Sequence, residues 1–191
     1  MLIVCEGSVT EPTYFERLKE EIEEEGYWAI TVYPDPEKPE DENPKSTALQ
    51  LVKLAKERAE DFDEAWVVFD KDGYSKHPEA FALADSTADG KKKVNIAFSS
   101  IAFEEWVLTH FEKNSHAFYK SECREGKDQL GCGNLVHDND CRGTKCICGR
   151  LRMQNFLSDY GKSANYDLYH KIRGLMNRAF INAPWLRMLH R

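Results

Sequence analysis

Ala65-Trp66-Val67-Val68-Phe69 is an unbroken apolar run of strand-forming residues that halts at Asp70-Lys71-Asp72-Gly73. A strand with one wet face alternates apolar and polar residues. Continuous apolarity instead demands cover on both faces, the condition of a central strand in a parallel sheet layered between helices. The same pattern opens the chain. Leu2-Ile3-Val4-Cys5 is cut off by Glu6-Gly7-Ser8, and a helical segment follows over residues 10–25. There Thr10 can cap, Pro12 suits the first turn, and Tyr14, Phe15, Leu18 and Ile22 recur on one face.

The alternation continues. A strand is predicted over 29–33, then an exposed proline- and acid-rich loop over 34–44, then a helix to about residue 60 that Ser46 could cap, with Leu49, Val52 and Leu54 inward. Further helices are predicted over 78–88 and 102–111, with a strand over 94–98 between them. Strand and helix in turn give an α/β fold, a mainly parallel sheet flanked by helices. Residues 119–150 break the pattern with glycines, polar residues and cysteines. The expected organisation is therefore an α/β core over 1–118, a cysteine-rich insertion over 119–150, and a basic helical segment over 151–191 packed on the core.

At 191 residues the chain suits one buried core with an appended module. It has no apolar stretch of the roughly 18 to 20 residues that spans a bilayer, and it does not open with a basic segment followed by a long apolar one. A soluble, cytoplasmic protein is expected, with no membrane partner. The net charge of −7 alone argues against a general nucleic-acid binder, but its distribution does not. Residues 141–191 carry ten Lys or Arg against two Asp or Glu, and residues 1–140 carry 16 against 31. One end would attract a polyanion, or else the basic tail packs on acidic helices of its own chain.

In a parallel α/β sheet, chemistry collects at the carboxyl ends of the strands. Glu6 closes the first strand, and Asp70 and Asp72 close the strongest one, so these acids should meet. Asp70 and Asp72 project to one side of an extended backbone, and Gly73 permits a sharp exit. Carboxylates so placed repel one another unless a cation lies between them, and hard oxygens suit Mg²⁺ or Mn²⁺. Glu11, at the start of the first helix, could reach a second ion, and Glu104, before Glu105 in preference, is a possible further ligand. Two such ions about 3.5–4 Å apart are what many nucleases use to cleave phosphodiesters. Taken singly, an Asp-x-Asp-Gly is often only a turn, and Glu11 could simply favour a helix N-terminus. The combination in this order is what carries the reading.

Leu2-Ile3-Val4-Cys5-Glu6-Gly7, Thr10-Glu11-Pro12, Tyr14-Phe15, Val67-Val68-Phe69-Asp70-Lys71-Asp72 and the stretch SSIAFEEWVLTHF over 99–111 together resemble the RloB-like abortive-infection proteins, as do Tyr160-Gly161-Lys162 and Asp167-Leu168-Tyr169. The resemblance implies a Toprim-like domain in which Glu6, Asp70 and Asp72 bind catalytic metal. By similarity to the related overcoming-lysogenization-defect nucleases it makes Glu11 a further ligand, although the spacing there is typically one residue shorter. It also implies antiphage defence and control by an ATPase partner. Lys162 could contact a phosphate or simply be a surface lysine.

Cys123, Cys132, Cys141, Cys146 and Cys148 lie within 26 residues, while Cys5 sits on the first strand. Thiols this close in a chain without a secretion signal point to metal rather than disulfides, and Zn²⁺ takes four tetrahedrally. The preferred set is Cys132, Cys141, Cys146 and Cys148, with Cys123 or His137 as substitutes; a reduced loop without metal is the alternative. The spacing matches no standard finger, and the insert departs from the family pattern. Arg142, Lys145, Arg150 and Arg152 surround the last cysteines and could meet nucleic-acid phosphates. His77 and His110 are read as packed or surface residues.

The expected function is cleavage of DNA or RNA by a Mg²⁺- or Mn²⁺-dependent nuclease in antiphage defence, with Glu6 taking the proton from the attacking water. A non-catalytic Toprim-like module binding an ATPase or a ligand is one rival, and a nucleotidyl transferase or primase-like enzyme another. A homo-oligomer is compatible with either.

Overall fold

The computed structural model describes residues 1–26, 28–37, 47–71, 77–88, 90–114, 118, 121, 146–154 and 156–189. Its elements are β1 (Leu2–Cys5), α1 (Thr10–Glu24), β2 (Thr31–Tyr33), α2 (Ala48–Arg58), β3 (Ala65–Asp70), α3 (His77–Asp85), β4 (Asn95–Ser99), α4 (Glu104–Thr109), α5 (Ile147–Met153), α6 (Leu168–Ile172) and α7 (Met176–Leu189). Short 3-10 turns at Ala59–Asp61 and Arg173–Leu175 follow α2 and α6. The chain divides into two compact units. Met1–Phe98 with Ser163–Tyr169 forms the first, and Ser99–Lys162 with His170–Arg191 forms the second. This partition follows contact, whereas the boundaries at 118 and 150 follow texture.

In the first unit the strands lie in the order β2-β1-β3-β4. β1 runs parallel to both neighbours, with Leu2 opposite Thr31 and Ala65 and Cys5 opposite Val68. The uninterrupted apolar runs are explained by burial on both faces. Leu2, Val4, Val67 and Phe69 join Leu51, Val52 and Ala55 of α2 and Ala80 and Ala84 of α3 in one cluster, and the alternate residues Ile3, Cys5 and Val68 are also buried. Each large apolar side chain buried there contributes about 1.5–3 kcal/mol. Trp66 breaks the pattern, half-buried with its indole N–H donating to Glu64 at 3.2 Å.

The helix starts differ in part from expectation. α1 begins at Thr10 itself, preceded by Val9 with no side-chain cap. Thr10 is thus one position too late to cap, and Pro12 removes one of the amide donors that a first turn leaves unpaired anyway. α2 is capped by Thr47 through a reciprocal exchange with Gln50, the Thr47 N–H donating to Gln50 Oε1 at 2.9 Å. Ser46, the expected cap, lies outside the described residues. Lys56 of α2 is buried, where a lysine is seldom found, and its Nζ donates to the carbonyls of Ser86 at 2.6 Å and Lys92 at 3.0 Å. Tyr169 meets Tyr14 of α1 edge to face at 5.5 Å, tying 163–169 into this unit.

The second unit is helical. Asn182 of α7 donates to the Thr109 carbonyl at 2.7 Å and Arg178 to that of Phe111 at 2.8 Å, satisfying acceptors at the end of α4 that a helix cannot pair internally. Cys146 precedes α5 and caps it, its Sγ accepting the Gly149 N–H at 3.3 Å. Among the described residues no helix is long and apolar enough to cross a membrane.

Candidate active site at the ends of β1 and β3

In the order β2-β1-β3-β4 the chain reverses its direction of growth between β1 and β3. Ligands of such sheets bind outside the carboxyl ends of the strands at that switch point. Glu6 and Asp70 stand at those two ends. The Glu6 N–H continues the ladder by donating to Val68 O at 2.9 Å. The regular parallel pattern would next send the Asp70 N–H to the Glu6 carbonyl. Instead it donates to the Glu6 side chain, Oε2, at 2.9 Å. A carboxylate thus takes the place of a backbone acceptor, and this charge-assisted bond fixes one acid against the other strand. Both residues are half-buried.

Gly7 brings in the next acid. A Cβ placed on it would collide with Glu11 Oε2 and stand 3.0 Å from Glu11 Cδ. The Glu11 carboxylate therefore rests on the glycine, and a side chain there would evict it. The charge of Glu11 is also felt at Cys5: burial first, and Glu11 second, push that thiol well above its ordinary pKa. Glu6 and Glu11 thus both depend on the turn that follows β1, and Lys71, after Asp70, is exposed. Asp72 lies outside the described residues. Among the described residues no three His, Cys, Asp or Glu side chains are grouped as a metal site, Glu6, Glu11 and Asp70 included. Carboxylate oxygens are the hard donor type that Mg²⁺ and Mn²⁺ take.

The other predicted residues lie in the second unit. Glu104 is fully buried. Its Oε1 accepts from the Tyr160 hydroxyl at 2.6 Å and pairs with Lys162 Nζ at 2.9 Å, while the buried Oε2 has no hydrogen-bond partner among the described residues. Lys162, read either as a phosphate contact or as a surface lysine, is partly exposed and pairs with an acid of its own chain. Arg150 makes a two-pronged pair with Glu112 at 2.9 and 2.7 Å, which raises the guanidinium pKa, and the Arg152 Nε donates to Tyr160 O at 2.7 Å. Glu105 Oε2 accepts the Ser100 N–H at 3.0 Å. Two of these contacts, Arg150 with Glu112 and Lys162 with Glu104, pair basic residues of the tail with acids of the same chain. Cys146 and Cys148 are buried; Cys123, Cys132, His137, Cys141, Arg142 and Lys145 lie outside the described residues.

Two contributions were missed by sequence reasoning. Gly7 figured only as a turn residue, although Glu11 four positions on was the signal for a close approach. Tyr160 figured only within a family-like segment, and nothing local ties it to a residue 56 positions earlier.

The family model described as RloB-like protein matches residues 1–190. No curated protein matches the chain, and no solved structure does.

Proposed function

This chain belongs to the RloB-like family, and from that premise we propose that it is a Toprim-like, metal-dependent nuclease that cleaves phosphodiester bonds of DNA or RNA. The observation that carries the reading is the bond from the Asp70 N–H to Glu6 Oε2, which holds the Glu6 carboxylate against the strand end that bears Asp70, at the switch point of the sheet. Glu6, Glu11, Asp70 and Asp72 would hold Mg²⁺ or Mn²⁺. When bound, such ions polarise phosphoryl oxygens and make water acidic enough to attack at neutral pH. The chain's own residues do the rest. Asp70 holds Glu6 in a fixed orientation, Gly7 leaves room for Glu11, and Glu6 takes the proton from the attacking water. Without cations the same carboxylates repel a phosphate backbone, so binding as well as cleavage depends on the ion.

A role in antiphage abortive infection, under control of an ATPase partner, rests on the family resemblance. Zn²⁺ in the cysteine-rich segment rests on the donor chemistry of its thiols, with Cys146 and Cys148 supplying two of them.

The test is incubation of the purified protein with plasmid, single-stranded DNA and total RNA, with Mg²⁺, Mn²⁺ or chelator, after elemental analysis for zinc. Ion-dependent cleavage is expected. Asp70→Asn/Asp72→Asn should abolish it without lowering the melting temperature. Full cleavage by that variant, with contaminating nuclease excluded, refutes the assignment.

A further inference from the structure

Four aromatic rings gather in the first unit beside Asp70. Phe69, the residue before it, is buried, and His77, the first residue of α3, stacks on it at 5.7 Å with planes 2° apart. Phe81 of α3 and Phe98 of β4 stand edge to face with Phe69 at 5.9 and 5.5 Å and with each other at 5.6 Å. His77 meets Phe98 at 5.5 Å. Three elements thus hold the rings in place. Yet Phe81 is 42% exposed and Phe98 40% exposed, which forfeits a good part of the burial energy that a phenyl ring supplies.

The chemistry of the patch indicates its occupant. Its residues are aromatic rather than aliphatic, and its one polar ring, His77, carries a nitrogen donor and acceptor suited to a base edge. The exposed Lys71 follows Asp70 and offers a cation to phosphate. Rigid rings with a nearby cation are how proteins take up unpaired bases, at about 1–3 kcal/mol per stacked base, and a base inside a duplex cannot present its face to them. We propose that Phe81 and Phe98, backed by Phe69 and His77, form a stacking platform for an unpaired nucleobase, so that the carboxylate rim is served with single-stranded or looped nucleic acid. This deepens the nuclease reading and rests on it for the neighbouring rim.

The test uses the full chain with Ca²⁺ in place of Mg²⁺ to slow cleavage. Its probes are a short single strand carrying 2-aminopurine and the duplex of the same sequence. The single strand should bind about tenfold more tightly than the duplex, and its fluorescence should be quenched by stacking. Phe81→Leu/Phe98→Leu should lose about tenfold of that preference, and Phe81→Tyr/Phe98→Tyr should retain it, which separates lost rings from lost folding. Equal wild-type affinity for strand and duplex, or a Leu variant equal to wild type, overturns the platform. So does a Leu variant that binds nucleic acid normally but loses a protein partner. If no nucleic acid is cut with any ion while the ring-dependent preference stands, the nuclease reading falls and the platform survives. If cleavage is intact and indifferent to strandedness, the reverse holds.

Discussion

The Glu6 carboxylate accepts the backbone N–H of Asp70 at 2.9 Å, closing the β1–β3 ladder with a side chain. Hydrogen bonds to charged groups contribute about 1.5–3 kcal/mol net, less where water reaches them. Glu6→Gln keeps an acceptor oxygen and should stay within about 1 kcal/mol of wild type, whereas Glu6→Ala should lose about 1–3 kcal/mol. Urea unfolding separates the two. Equal stability of both variants would mean the bond does no structural work.

Gly7→Ala tests the glycine cradle. The atom a Cβ would strike is the mobile end of the Glu11 side chain, so the carboxylate swings away at little cost. Stability should change by no more than about 1 kcal/mol, while ion binding falls as far as it does in Glu11→Ala. Adding Gly7→Ala to Glu11→Ala should then have no further effect on ion affinity. Additive losses would show that the two residues act separately.

Glu104 should behave as a structural acid. Glu104→Ala strips a buried hydroxyl and an ammonium group of their shared partner, and the expected loss is about 2–4 kcal/mol, tempered because Lys162 is partly exposed. Lys162→Ala should cost less than Glu104→Ala. A melting temperature unchanged in Glu104→Ala would instead fit an acid serving only an ion.

The strand ends were legible because their cause is local. Runs of four and five strand-forming apolar residues bounded by turn signals fit doubly covered strands, so the places of β1 and β3, and of Glu6 and Asp70 at neighbouring strand ends, follow from pattern and topology. The start of α1 at Thr10 was legible too, but not its cap: Thr10 has the side chain of a cap, yet the backbone leaves the helix one residue earlier, at Val9, and the fold decides that. The pairing of Lys162 with Glu104 was illegible for another reason. It joins residues 58 positions apart through tertiary packing, and a lysine near a predicted phosphate surface reads the same whether it faces ligand or its own chain. Burial of Lys56 has the same origin: only the arrival of the Ser86 and Lys92 carbonyls makes it tolerable.

His110 gives the chain an acid sensitivity. It is buried, with Nδ1–H donating to Trp106 O at 3.0 Å and a buried Nε2 that has no hydrogen-bond partner among the described residues. Burial lowers its pKa, against smaller raising effects of the Trp106 and Val107 carbonyls. The folded state then binds fewer protons than the unfolded one, so the contribution is intact above the unfolded pKa of about 6.5 and is lost as pH falls through the folded value. Melting temperatures from pH 8 to 5 should decline more steeply in wild type than in His110→Leu, whatever that variant's absolute stability. Parallel declines would remove His110 as the cause.

The most direct test of the central claim is Mn²⁺ binding followed by electron paramagnetic resonance in wild type, Glu6→Gln and Asp70→Asn, with folding checked by circular dichroism. Wild type should take up Mn²⁺, and each variant should lose at least about tenfold in affinity while remaining folded, because the two strand ends share the ion. Undiminished Mn²⁺ affinity in both variants would contradict a cation held between Glu6 and Asp70.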